Sequence, residues 1–366
     1  MVDFTSALYL GLLHSSESLR PWGRLTTGVP AALRTPPGAA AVAARLAALQ
    51  GAPRATLGSS TLHLFWDLHG LLSTRHGAVY VDAGAYPIAR WGVERMAARG
   101  VPVTEFRHHD ADALRCALRR AGRSRRPPLI VADGFCPACG AAAPLRAYLA
   151  CARENGGRLA IDDTQALGVL GRSPGPGAPY GRGGGGSLPH ASIAGADVLT
   201  VSSLAKGLGV PIAALAGSRA EVTRFESRSE TRTHASPPST ADVHAAERAL
   251  DLNDRSGDAT RARLAALVRR FRRGVGALGL TPTGRLFPVQ GLGGMSEESA
   301  GALHAALLGE GLRTVLHRDH LSPGARVSFV ITAAHALPDV DHAVAALGRA
   351  LAASSYQNYG RRLRLP

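Results

Sequence analysis

Residue 206 is the only lysine in a chain of 366 residues whose 42 Lys and Arg positions are otherwise all arginine. A guanidinium stays protonated in a protein, whereas a lysine amine can lose its proton and attack a carbonyl carbon to form a Schiff base. The flanking sequence DVLTVSSLAKGLGVP (197–211) reads as a buried strand, a serine-rich turn carrying Ser203, then Lys206 and glycines. Three other segments put polar groups at the ends of apolar runs. RLAIDDTQ (158–165) brings Asp162, Asp163 and Gln165, LIVADG (129–134) brings Asp133, and the turn Gly58-Ser59-Ser60-Thr61 opens a helical pattern.

Open α/β sheets bind ligands at the carboxyl ends of their strands, so these groups are candidates for one site. Together they suit pyridoxal 5'-phosphate (PLP). A carboxylate at a strand end can hold the proton on a pyridine nitrogen and strengthen the electron sink. Hydroxyls and N–H groups at a helix start, with Ser203 three residues before Lys206, can hold a phosphate dianion. Singly each signal is weak, because an Asp ending a strand is most often a turn residue; with one lysine at the right place they form a set.

The elements needed to position this set are legible. Helical patterns at Ala40–Gln50, from the Gly58-Ser59-Ser60 turn to His76, and at Arg90–Arg99, Asp112–Ala121 and Leu145–Asn155 alternate with strand patterns. The strands are Arg54–Leu57, Ala78–Val81, Val101–Phe106, Pro128–Ala132, Leu159–Ile161 and Val198–Val201. That alternation predicts a mostly parallel, doubly wound sheet of the α/β class. A glycine- and proline-rich stretch (172–189) reads as a loop or a lid. After Pro237-Pro238 a long helical region runs to about 278, followed by a smaller α+β region. The expected organisation is an N-terminal arm (1–20), a large domain (21–250) and a small C-terminal domain (251–366).

Composition narrows the classes. The net charge is +15, but the densest runs, RRAGRSRR (119–126), RRFRR (269–273) and RRLR (361–364), carry no nucleic-acid motif. A solvated basic surface, or attraction of an anionic co-substrate such as a nucleotide or CoA thioester, is the reading; no nucleic-acid partner is expected. Four cysteines, with one CxxC at Cys136 and Cys139, lack the spacing of a metal site, and none is expected. No apolar run approaches the ~18 residues of a membrane span, and the start has no basic signal-peptide region, so the protein reads as cytoplasmic.

Over nearly its whole length the chain resembles the α-oxoamine synthase branch of fold-type-I PLP enzymes, which includes 8-amino-7-oxononanoate synthase and 2-amino-3-ketobutyrate CoA ligase. FTSALYLGL (4–12) is similar to the opening FSSNDYLGL-type segment of that branch, and VADGFCPACGAAAPL (131–145) to its TEGVFSMDGDSAPL-like stretch. GRLAIDDTQALGVLG (157–171) follows VDEAHSxGVxG, and ARVSFVITAAH (325–335) follows ARLRLTLTAAH. The resemblance implies an aspartate-aminotransferase-like fold and a homodimer with shared sites. It implies Lys206 as the Schiff-base lysine and Asp162 as partner of the pyridine nitrogen. Ser59, Ser60, Thr61, Leu62 and Ser203 would hold the phosphate, with His234 reaching the neighbouring subunit's; Asp133 would join the cofactor set.

The departures fall among the substrate contacts. The ring-stacking histidine of the DxxxHAS pattern falls on Tyr86, and the histidine that bonds the cofactor's phenolic oxygen falls on Gln165. The second arginine of ARLRL, a carboxylate grip, falls on Ser328, while Arg326 matches the first. The opening asparagine falls on Ala7, and the serine of FSMDG on Pro137. The implied reaction is an acyl transfer in specialised metabolism: an amino acid forms an external aldimine, and its Cα carbanion attacks an electrophile such as an acyl thioester. Tyr86 and Ser328 keep open β/γ-elimination or replacement on an amino acid with a leaving group, such as S-adenosylmethionine. Transamination comes third, and an inactive partner subunit is the non-enzyme alternative.

Overall fold

A computed structural model describes residues 1–122, 125–193, 197–318 and 324–353, so the basic tail 361–364 and part of the 119–126 run lie outside the described residues. The chain divides into two compact units, one of Leu12–Cys136 with Ala142–Asp258, the other of Met1–Gly11, Pro137–Ala141 and the residues from Ala259 on.

The larger unit is built on a seven-stranded sheet: β1 (Arg54–Gly58), β2 (Ala78–Asp82), β3 (Val103–Phe106), β4 (Pro128–Asp133), β5 (Arg158–Asp162), β6 (Val198–Ser203) and β7 (Ala213–Gly217). The order is β1-β7-β6-β5-β4-β2-β3. All run parallel except β7, which is antiparallel to both neighbours. The sequence reading did not mark β7, because AALAG has none of the β-branched or aromatic residues that signal a strand. The central strands read as unbroken apolar runs because both faces are covered. Val79, Val81, Leu199 and Val201 pack with Leu64, Phe65 and Leu68 on one face. Tyr80, Ile130, Leu159 and Ile161 pack with Tyr148 and Leu149 on the other. Because β1, β2, β4, β5 and β6 run in the same direction, their carboxyl ends meet at one edge of the sheet.

The glycine-rich stretch folds as an ordered hairpin. Antiparallel bridges join Leu167 to Gly185, Arg172 to Arg182 and Gly175 to Ala178. A Cβ at Gly171 or Gly181 would overlap the backbone of the facing strand, so glycine is required there. Gly183 donates its N–H to Asp258 (2.8 Å) and accepts from Asn253 (2.9 Å), which ties the hairpin to the helix Thr240–Ala277.

The smaller unit has a three-stranded antiparallel sheet, β8 (Val289–Met295), β9 (Val315–Arg318) and β10 (Ala325–Val330), with β10 in the middle. Helices Glu297–Gly309 and Leu337–Ala353 accompany it. The chain start belongs to this unit: Val2 and Asp3 pair with Leu312 and Arg313, and Phe4 stacks on His335 at 4.3 Å.

Candidate active site

Lys206 follows β6 in a turn fixed by glycines. A Cβ at Gly207 would overlap Leu167 O, and one at Gly209 (φ +70°) would overlap Leu12 O, so the turn lies flat against both backbones. His14 Nε2 bonds Leu208 O at 2.9 Å and closes the brace. Burial lowers the lysine pKa from its ordinary value, and the negative charges of Asp162 and Asp133 oppose that shift.

Those two carboxyls stand side by side, because Asp133 and Asp162 are register partners at the ends of β4 and β5. Asp162 is 5 % exposed. Burial raises its pKa, while hydrogen bonds from Thr164, including its N–H at 3.0 Å, and the Lys206 charge hold it down. Asp133 is pushed well above the usual carboxylate range by burial and by Asp162, although it accepts the Tyr86 N–H at 3.0 Å. One acid thus carries a charge more readily than the other, and the positive charge of Lys206 favours the ionised form.

Tyr86 caps the helix Pro87–Ala97, whose first residue is the proline favoured at that position; the helix therefore starts before the expected Arg90. Its ring is 50 % exposed, and Lys206 Nζ lies 5.9 Å from the ring centroid. Arg90 clamps the loop behind it, donating to the carbonyls of Asp82, Ala83 and Ala85 and to Glu105. Asp82 anchors the loop's other end, accepting from Tyr148 (2.9 Å), His108 (2.6 Å) and the N–H groups of Gly84 (2.8 Å) and His109 (3.0 Å).

After β1, Ser60 caps the helix Thr61–Leu72 and accepts the His63 N–H, which leaves the N–H groups of Thr61 and Leu62 without intrahelical acceptors. Ser59 donates to Ser236 O (3.1 Å), two residues beyond the exposed His234 at the end of helix Glu230–His234. Ser203 Oγ accepts the Ala205 N–H (3.2 Å), leaving its own proton to donate outward, and Ser203 N–H bonds Thr164 Oγ1 (3.0 Å). Gln165 is half-buried, three residues beyond Asp162.

The donor set fits PLP: a half-buried amine of lowered pKa, a buried acid with a cation to match, a half-exposed aromatic face and an open helix N-terminus on one sheet edge. A profile of the aminotransferase class I and II family matches residues 32–347. The chain belongs to that family. It is similar to the 8-amino-7-oxononanoate synthase of Alkalilimnicola ehrlichii, 34% identical over 255 residues, 69% of this chain and 62% of that one. The corresponding enzyme of Marinobacter nauticus is 32% identical over 252 residues, 68% of this chain and 60% of that one. The match therefore spans about three fifths of the length of these curated relatives. In fold it is similar to serine palmitoyltransferase from S. paucimobilis, solved with bound PLP, at TM-score 0.82 and 19% identity over 96% of this chain and 87% of that one. The 8-amino-7-oxononanoate synthase of Francisella tularensis superposes with TM-score 0.74 and 18% identity, over 96% and 98%. The fold is fold type I.

The larger unit gathers Ser59, Ser60, Thr61, Leu62, Tyr86, Asp133, Asp162, Gln165, Ser203 and Lys206 on one edge. Ala7, Arg326 and Ser328 belong to the smaller unit. There Ser328 is 1 % exposed, pairs with Gly291 and Val315, and shares a face of β10 with the half-buried Arg326. Sequence reasoning missed Thr164 and the Asp82 anchor, whose partners Ser203 and Tyr148 lie far along the chain, and Arg90, whose partners are near in sequence but converge only in the folded loop. It also gave no role to Asp163, visible only as the second of two adjacent acids.

The lysine shift has a measurable sign. Colour formation on adding PLP to the apo-protein is expected to rise with pH along a limb below the ordinary lysine range, because the deprotonated amine reacts. Asp162 favours the ammonium form, so Asp162→Asn is expected to move that limb to still lower pH; a stopped-flow absorbance profile checks it, and an unmoved limb would separate Asp162 from Lys206.

Proposed function

We propose that the protein is a cytoplasmic, homodimeric PLP-dependent acyltransferase that joins the Cα of an amino acid to the acyl group of a thioester, in specialised metabolism. The observation that carries this reading is the half-buried Lys206 beside Asp133 and the buried Asp162, with the Tyr86 face 5.9 Å from its amine. Bound there, PLP supplies an electron sink for negative charge developing at Cα.

The chain's own groups do the rest. Asp162 would keep the proton on the ring nitrogen, Tyr86 would stack on the ring, and Gln165 would donate an amide hydrogen bond to the phenolic oxygen. Ser59, Ser60, Thr61, Leu62 and Ser203 would hold the phosphate, and the exposed His234 would reach the phosphate of the second subunit. Lys206, as a free amine of lowered pKa, would take the proton from Cα. By the resemblance, Arg326 is the candidate for the substrate carboxylate, a bidentate task Ser328 cannot perform, and Ala7 counts with them among the substrate contacts. The net charge of +15 favours an anionic co-substrate, a CoA thioester or another nucleotide-bearing molecule. As folding domains we retain an N-terminal arm (1–20), a large domain (21–250) and a small domain (251–366).

A second reading rests on the small, buried Ser328. If that space belongs to a larger amino acid, the reaction is β/γ-elimination or replacement of a side-chain leaving group; plain transamination is the remaining option. Two substrate panels separate them. Free-thiol release with simple amino acids and acyl thioesters is the expected result, and Ser328→Arg is then expected to leave that rate within about 3-fold or raise it by restoring a bidentate carboxylate grip. Leaving-group release confined to amino acids such as S-adenosylmethionine, with Ser328→Arg blocking it, would replace the first reading by the second.

A further inference from the structure

Asp163 is 1 % exposed and lies one residue beyond Asp162. Its backbone is held on both sides: the N–H donates to Val201 O (2.8 Å), and the carbonyl accepts from Ala166 (3.0 Å) and Leu167 (2.9 Å). Its side chain points into a space that glycines keep open. A Cβ at Gly134 would overlap one carboxyl oxygen, and a Cβ at Gly186 (φ +95°) would overlap the other. Both oxygens lie within reach of the Ser187 N–H, at 3.2 and 3.0 Å. Gly186 belongs to the hairpin, donating to Leu170 O at 2.8 Å, and Gly134 donates to the carbonyl of Asp162 at 2.8 Å. One carboxyl group therefore meets the strand end of β5, the turn after β4 and the base of the 168–187 hairpin.

We propose that Asp163 is a positioning residue: its buried carboxyl group latches the hairpin to the strand end that carries Asp162 and so keeps the acid side of the cofactor site in place. The proposal rests on Asp162 facing the cofactor, but the latch is a property of the apo-protein and is testable without it. Burial, with the charge of Asp162 adding to it and the Ser187 hydrogen bonds opposing, pushes the Asp163 carboxyl up to about 7. Near neutrality the carboxyl is therefore part protonated, and either form can accept the Ser187 N–H, which separates this role from that of a fixed negative charge.

The test compares backbone amide hydrogen exchange over 168–187 in the apo-protein with the affinity for PLP read from cofactor absorbance. Asp163→Ala removes the acceptor of a buried N–H and is expected to speed exchange in that segment by about 10-fold or more and to weaken PLP binding by a similar factor. Asp163→Asn keeps an acceptor and is expected to stay within about 3-fold of the parent on both readouts. Ser187→Pro attacks the latch from the other end. Ser187 is the first residue of the short helix Ser187–His190, where proline fits the backbone but brings no N–H, and this variant is expected to behave as Asp163→Ala even if the latter fails to fold. Unchanged exchange in Asp163→Ala and Ser187→Pro, faster exchange with unaltered PLP affinity, or an Asp163→Asn as damaged as Asp163→Ala would each overturn the proposal. Failure of the parent protein to bind PLP would remove the cofactor reading while leaving the exchange result to judge the latch.

Discussion

Lys206→Ala is expected to lower turnover by at least ~10³-fold and to remove the covalent link to the cofactor, because nucleophile and general base disappear together. Lys206→Arg is expected to be no better, since a guanidinium does not deprotonate near neutrality. This comparison separates chemistry from charge: the arginine keeps a cation beside Asp162 and Asp133, so a merely electrostatic role would be rescued. Borohydride reduction of the holo-protein followed by peptide mapping is expected to place the pyridoxyl group on the peptide containing Lys206. Label found only at the N-terminal amine would sink the assignment. The lowered lysine pKa adds that reduction should proceed at pH values where an ordinary lysine is still an ammonium ion.

What made this site legible was the coupling between strand ends and chemistry. Asp133, Asp162 and Ser203 each end an apolar run, and parallel strands carry such ends to one edge, so a local pattern sufficed to group them. Lys206 stood out for another reason, a single amine against a background of arginine. The strand β7 was not legible, because alanine and glycine fit a strand only when the neighbouring β1 and β6 supply the pairing. The glycine-rich stretch was open to a loop or a lid for a similar reason. Its order comes from close approach of two backbones and from anchors at Asn253 and Asp258, some 70 residues away. Arg90 shows the same limit within the site, since only the folded loop brings three carbonyls to one guanidinium.

Asp162→Asn is expected to leave the fold intact and to cost about 100-fold in turnover, the usual size of a lost charge-assisted contact in a transition state. The amide oxygen can still accept the Thr164 N–H now bonded at 3.0 Å, so the turn after β5 should persist. What disappears is the negative charge that keeps a ring nitrogen protonated. The neighbouring acids provide internal controls that differ in kind. Asp163→Asn is expected to be nearly silent, because its carboxyl is already pushed to about 7 and serves as an acceptor. Asp133→Asn is expected to be mild for a related reason, its carboxyl being pushed well above the usual carboxylate range by burial and by the charge of Asp162. Three isosteric changes at adjoining positions thus carry three different expectations, and turnover at saturating substrate and cofactor reads all of them. Were Asp162→Asn to run near the parent rate while Asp133→Asn collapsed, the acid facing the ring would be Asp133, and the charge assignment within the pair would have to be exchanged.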